Sequence, residues 1–367
     1  MNRVKTTVLS AFVLMAASGA AFAEPKVVTS IKPVHSLVAA VMQGVANPDL
    51  LVEGAGSPHT YALKPSQAAM LEKADLVFWI GHQIEAFMEK PVETIATRAM
   101  SVELIDAHGL TKLPFREGGA FEDHDHEDHD EHDHKAEAKH DDEHDHKSEA
   151  KHDDEHDHKS EAKHDDEHDH KAEAKHDDEH DHKAGTEHDD HGHGSFDFHV
   201  WLDPENAKAI VHEIEEALVI ADPANGARYK ANARATIEKL DALTEEVAAS
   251  LAPIKGRNFI VFHDAYQYFE NRFGMAASGS ITVSPEVMPG ADRVDKIQKK
   301  LKRLGAACVF AEPQFEPKLV SVVVENTKAK PGVLDPLGAA LDDGPDLYFT
   351  LIRNMASAFR DCLSPGS

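Results

Sequence analysis

The chain predicts an α/β fold of two lobes with parallel sheets, tied together by one long rigid helix. Three observations carry this expectation. Short apolar strands alternate with striped helices on both sides of a central gap, one amphipathic run links the two series, and the gap is a polar tract with almost no apolar side chains. Strand and helix alternating at this spacing argue for a parallel sheet covered by helices.

The first residues, MNRVKTTVLSAFVLMAASGAAFAEP, have a basic start at Arg3 and Lys5, a short apolar run and an Ala21-Phe22-Ala23 ending. That pattern reads as a cleaved signal over 1–23, so the mature chain is expected from Glu24, soluble and outside the cytoplasm. The apolar run from Val8 to Ala17 is much shorter than the roughly 20 residues that cross a bilayer, and no later segment comes close. No membrane span is expected.

KVVTSIKP then reads as a buried strand and VHSLVAAVMQGV as the helix after it. DLLVEGAGSPHTYALKPSQAAMLEKADLVFWIG gives a strand, a Gly/Pro loop, a helix near Pro65 and another strand. Either Ser66 caps that helix or Pro65 occupies its first position. SVELID adds a strand before the tract.

The tract, 122–193, repeats every twelve residues from His140, His152, His164 and His176. No repeat position carries a large apolar residue, so stacked units would have no core and a solenoid is excluded. Ordering it would cost roughly 1 to 2 kcal/mol per residue with little burial to offset that, so it is expected to be a disordered loop insertion. It holds 20 histidines, and its 31 acids against 9 lysines supply −22 of the formal −28. The remainder is only mildly acidic, and neither part has the concentrated basic surface that a nucleic-acid binder needs.

Past the tract, a short strand-like segment and a helix in FDFHVWLDPENAKAIVHEIEEALVIADP precede one long amphipathic run. Its apolar positions are Tyr229, Ala233, Ile237, Leu240, Leu243, Val247 and Leu251, with Asp222 as N-cap and Pro253 as stop. The strands and helices of RNFIVFHDAYQYFENRFGM, PGADRVDKIQKKLKRLGAACVFAEPQF and KPGVLDPLG repeat the first half's logic. The expected boundaries are 24–222 for the first lobe with its insertion, 223–252 for the linking helix and 253–367 for the second lobe. Both lobes are expected to be Rossmann-like. The only cysteines, Cys308 and Cys362, are expected to pair in an oxidising compartment; two buried thiols are the alternative. Closing that loop would stabilise the fold by roughly 4 kcal/mol.

Seven histidines lie outside the tract: His35, His59, His82, His108, His199, His212 and His263. His59 follows a strand in a Gly/Pro loop, His199 sits at the Phe-rich re-entry from the tract, and His263 ends the strand FIVF. Ligands of open α/β sheets bind outside the carboxyl ends of strands, and three neutral imidazoles there would make a zinc site. A lone loop histidine is more often a surface or hydrogen-bonded residue, so spacing alone leaves this open. His82, His108 and His212 keep that bland reading.

GAGSPHTYALKPSQ, FHVWLDPENA, FHDAYQYFENRFG, VFAEPQF and VLDPLG, in this order, resemble the zinc-binding subunits of bacterial ABC importers, the ZnuA-like group of metal receptors. The likeness spans nearly all of the mature chain. It implies His59, His199 and His263 as zinc ligands, the long helix as a spine and a Cys308–Cys362 disulfide. Some members place a Glu before the first ligand histidine, where this chain has Pro58. The resemblance therefore leaves the fourth position to Asp335, from the loop that supplies a carboxylate in related receptors, to water, or to a residue of the tract.

Three imidazoles favour zinc over manganese, whose sites are richer in oxygen. The implied function is a periplasmic receptor, expected to be a monomer. It would deliver zinc to a membrane permease driven by a cytoplasmic ATPase, with a periplasmic zinc chaperone as a further candidate partner. The chain carries no Gly-x-x-x-x-Gly-Lys phosphate loop of its own. The tract would be a lower-affinity zinc reservoir or sensor that weakens below about pH 6.5 as imidazoles protonate. The rivals are a zinc buffer or chaperone, a manganese receptor of the same family, and a zinc hydrolase. Against the last, no His-Glu-x-x-His helix occurs and no general base stands out.

Overall fold

A computed structural model describes residues 24–116, 121, 196–282, 285, 289–305 and 307–364. The expected signal and the insertion 122–193 lie outside them. In the first half, β1 (Val27–Thr29), β2 (Asp49–Leu50), β3 (Leu76–Trp79) and β4 (Met100–Glu103) form a parallel sheet in the order β2-β1-β3-β4. Val28 pairs with Asp49 on one side and Val77 on the other, and Val77 pairs onward with Ser101. β1 and β3 are buried throughout, as central parallel strands covered on both faces must be.

Three helices, α1 (Lys32–Val41), α2 (Pro65–Lys73) and α3 (Ala86–Thr94), connect these strands. Every residue of α1 is buried, which accounts for its nearly continuous apolar sequence. α2 starts with Pro65 just after Lys64, and the Gln67 side chain accepts from the Lys64 N–H at 2.9 Å. The proline, not Ser66, sets that start.

After the insertion come α4 (Pro204–Ala221) and α5 (Gly226–Leu251), the latter flanked by 3-10 turns at Pro223–Asn225 and Ala252–Ile254. At about 1.5 Å per residue, the 26 residues of α5 make the long joining helix that the sequence predicts. Its buried stripe keeps Tyr229, Ala233, Leu240, Leu243, Val247 and Leu251 but includes Thr236, with Ile237 only partly buried. Asp222 heads the first 3-10 turn, yet its carboxylate accepts from Asn225 Nδ2 and Tyr229 Oη, both at 2.7 Å, rather than capping backbone N–H groups.

The second half has a parallel sheet, β5 (Phe259–Ile260), β6 (Cys308–Ala311) and β7 (Lys330–Val333), in sequential order. Its helices are α6 (Gln267–Phe273), α7 (Ala291–Leu304), α8 (Lys318–Val324) and α9 (Leu347–Leu363). α6 and α7 both end on a left-handed glycine, Gly274 at φ 66° and Gly305 at φ 57°, a conformation that costs other residues more.

α5 packs against α1, α4 and α9, so its stripe is shared by helices of both halves. One apolar core accordingly runs from Val27 and Phe78 through Leu240 to Phe310 and Phe359. Cys308 of β6 and Cys362 of α9 form the disulfide, with Cα atoms 6.1 Å apart.

Candidate metal centre

Each half delivers histidines to one place. β2 runs out into a Gly/Pro loop whose 3-10 turn, Pro58–Thr60, carries half-buried His59. Pro58 there is buried, and its side chain has no donor atom to offer a metal. His199 precedes the 3-10 turn Val200–Leu202 that leads into α4, and His263 follows β5; both are buried, at 8 % and 3 % exposure. One ring nitrogen from each of His59, His199 and His263 lies within 4.8 Å of the other two.

Buried carboxylates orient two of these rings. His199 Nδ1 lies 2.7 Å from Asp197 Oδ1, and His263 Nδ1 lies 2.7 Å from Glu312 Oε1. Each Nδ1–H therefore donates to a carboxylate, which leaves the lone pair on Nε2. The two Nε2 atoms face one another at 3.4 Å. Two lone pairs pointed together repel unless a cation or proton stands between them, so this is the geometry of a cation-binding pair.

Burial, with His199 and His263 adding to it, pulls the His59 imidazole down to about 2. Burial likewise lowers His199 to about 3. Burial also works against a charged His263, but Glu312, joined by Asp264 and Asp197, offsets it and raises that ring above its ordinary value. Asp197 is pushed up to about 7 by burial, with the His199 N–H and Arg116 pulling the other way. Neutral imidazoles backed by carboxylates are what zinc takes as ligands.

The cavity between the rings, about 10 Å³, is lined by Pro58, Trp201, Glu312, Phe315 and Leu337 besides the histidines. It admits one atom-sized occupant and no organic ligand. The Trp201 indole donates to Pro336 O at 2.9 Å and Tyr348 Oη donates to Trp201 O at 2.7 Å, which fixes the wall beside His199.

Asp335 stands outside this group of donors among the described residues. Its Oδ1 accepts from Gln314 Nε2 and from the N–H groups of Leu337 and Gly338 at 2.9 to 3.1 Å, and its Oδ2 accepts from Ala339 N–H at 2.6 Å. That carboxylate organises the loop bearing Pro336 and Leu337. His35 is buried with Nε2 3.1 Å from Pro48 O, His212 and His108 are exposed, and His82 sits 3.9 Å from Glu103. Sequence reasoning missed Asp197 and Glu312 as partners of the rings. The Asp-x-His spacing of FDFH and the strand-ending Glu of VFAEP were the available signals.

The family model described as "Zinc-uptake complex component A periplasmic" matches residues 27–362. The high-affinity zinc uptake system protein ZnuA of Brucella suis biovar 1 (strain 1330) is 56 % identical over 338 residues, covering 92 % of this chain and 91 % of the relative. A crystal structure of ZnuA superposes with a TM-score of 0.66 at 22 % identity, over 93 % of this chain and 100 % of the other. A zinc-bound ZnuA deletion mutant does so with a TM-score of 0.63 at 20 % identity, over 94 % and 100 %. These two likenesses show the two-sheet fold with its long helix. With the family model spanning both sheets and all three clustered histidines, the chain belongs to the ZnuA family of periplasmic zinc-uptake binding proteins.

Proposed function

We propose that this protein is a periplasmic zinc(II) receptor that captures the ion between His59, His199 and His263 and hands it to the membrane permease of an ABC importer with a cytoplasmic ATPase. The observation that carries the reading is the convergence of three ring nitrogens within 4.8 Å, two of the rings backed by buried carboxylates. An all-imidazole set of this size suits zinc better than manganese. The fourth position falls to solvent, because both Asp335 oxygens are engaged by N–H groups of their own loop and by the Gln314 side chain.

The protein binds and releases its cargo without turnover, as the family's binding proteins do. A permease partner is needed because no helix among the described residues is long and apolar enough to cross a membrane. Cleavage of 1–23 places the mature chain in the periplasm. The histidine-rich tract serves as a reservoir of weaker zinc sites near the tight one.

Zinc titration by calorimetry on the mature protein, on a deletion of 122–193, and on that deletion carrying His59→Ala tests the reading. One tight equivalent should survive the deletion and vanish with His59. Loss of all tight binding on deletion alone would make the tract the working site and overturn the receptor.

A further inference from the structure

The segment that leads toward the insertion ends its described run at Arg116, whose guanidinium lies between two carboxylates of the second half. Nε is 3.1 Å from Asp264 Oδ2, and Nη2 bonds the other Asp264 oxygen. Nη1 is 2.6 Å from Glu270 Oε2, with Nη2 3.3 Å from Oε1. The three side chains are 19 %, 12 % and 3 % exposed, and the Phe121 ring lies 4.3 Å from the guanidinium.

A buried charge triad is weak evidence for stability, since removing each ion from water costs several kcal/mol. What distinguishes this one is what its members adjoin. Asp264 directly follows His263. Glu270 lies on α6, as does Tyr268, whose hydroxyl donates to Asp197 O at 2.5 Å and accepts from Leu113 N–H at 3.1 Å. The same short segment pairs across the re-entry to the tract: Asp197 N–H donates to Leu113 O at 2.8 Å, and Pro114 bridges Phe196. Residues 113–116 therefore touch Asp264, the chain neighbour of His263, and Asp197, the carboxylate that backs His199.

We propose that Arg116 is a positioning residue for the metal site: by clasping Asp264 and Glu270 it fixes the His263 loop against the Asp197–His199 segment and holds the two Nε2 atoms one ion apart. The inference rests on the zinc reading above. Arginine suits the role because its rigid fork serves two carboxylates at once, which a lysine point charge does not.

The test uses the full-length chain and two readouts: chelator competition for the tightest zinc equivalent, and the ligand-field absorption of bound cobalt(II). Arg116→Met and Asp264→Ala should each weaken zinc by about 10- to 100-fold, the usual cost of losing an outer partner of a ligand. Combined, they should weaken it no further than the worse single change, because Arg116→Met already removes the contact that Asp264→Ala cuts. Arg116→Lys should recover part of the loss, and the cobalt absorption should change in Arg116→Met and return partly in Arg116→Lys.

Parent-like affinity in Arg116→Met, or losses that multiply in the double variant, would overturn the clasp. If Arg116→Met does not fold, Asp264→Ala still decides, since it leaves the Arg116–Glu270 pair in place; parent-like affinity there overturns the proposal. His263→Ala separates the two readings. If it keeps the tight equivalent, the zinc site itself is wrong; if it loses it while Arg116→Met binds normally, only the clasp falls.

Discussion

In the first half, Glu85 is fully buried beyond the central strand β3, and its Oε2 accepts the N–H groups of Ile80 and Gly81 at 2.8 and 3.0 Å. In the second half, Glu312 is as deeply buried just beyond the central strand β6, and its Oε1 takes the ring of His263. Two buried carboxylates, Glu85 just ahead of α3 and Glu312 directly after β6, thus do different work: one holds a backbone turn, the other orients an imidazole. The lesson is that burial alone does not set a carboxylate's task; its nearest donor decides what it does. The second half also carries the disulfide, so the crosslinked Cys308 and the carboxylate that orients His263 lie on and just after the same strand, β6.

The sharpest way to break this comparison is to remove the covalent tie. Replacing both Cys308 and Cys362 by alanine should lower unfolding stability by about 4 kcal/mol, read as a shift in the urea midpoint, while the tight zinc equivalent persists. Next in size is Glu85→Gln. Burial raises the Glu85 pKa to about 7 against an unfolded value of 4.5, so the folded chain keeps a proton that the unfolded chain has released. Stability is therefore lost as pH rises through that window, by on the order of 3 kcal/mol when complete. Urea midpoints at about pH 5 and pH 8 should show the glutamine variant gaining on the parent at the higher pH, with zinc affinity unmoved.

Glu312→Gln should do the reverse: a loss of about 10- to 100-fold in zinc affinity by chelator competition with little change in the urea midpoint. Equal zinc losses in the two variants would erase the distinction between the halves. The smallest effect expected is at Gly332, where an added Cβ would stand 2.6 Å from the Phe310 ring beside the disulfide. Gly332→Ala should cost about 1 to 2 kcal/mol by overpacking, measured as a lower thermal midpoint.

Much of this was legible in the residues. The alternation of apolar strands and striped helices specifies parallel sheets, and the three-and-four spacing from Tyr229 to Leu251 specifies the long helix, because both are local patterns. The pairing of Cys308 with Cys362 follows once the chain is exported, there being no other cysteine. What stayed hidden depends on contacts distant in sequence. Arg116 meets Asp264 across 148 residues, and buried Lys32 donates to Leu341 O across 309. No local pattern announces either. Asp335 was ambiguous for a different reason: an aspartate ahead of Pro-Leu-Gly can serve as a ligand or fold a turn by accepting its N–H groups, and only the loop geometry separates the two.

The antiparallel bridge between Pro114 and Phe196 joins the chain just before and just after the insertion. Departure and return are therefore one fixed address on the body, whatever length lies between. Doubling or halving such a loop changes its closure entropy by only about 0.6 kcal/mol. The twelve-residue units can thus be gained or lost by slippage during replication, in frame and without disturbing the core.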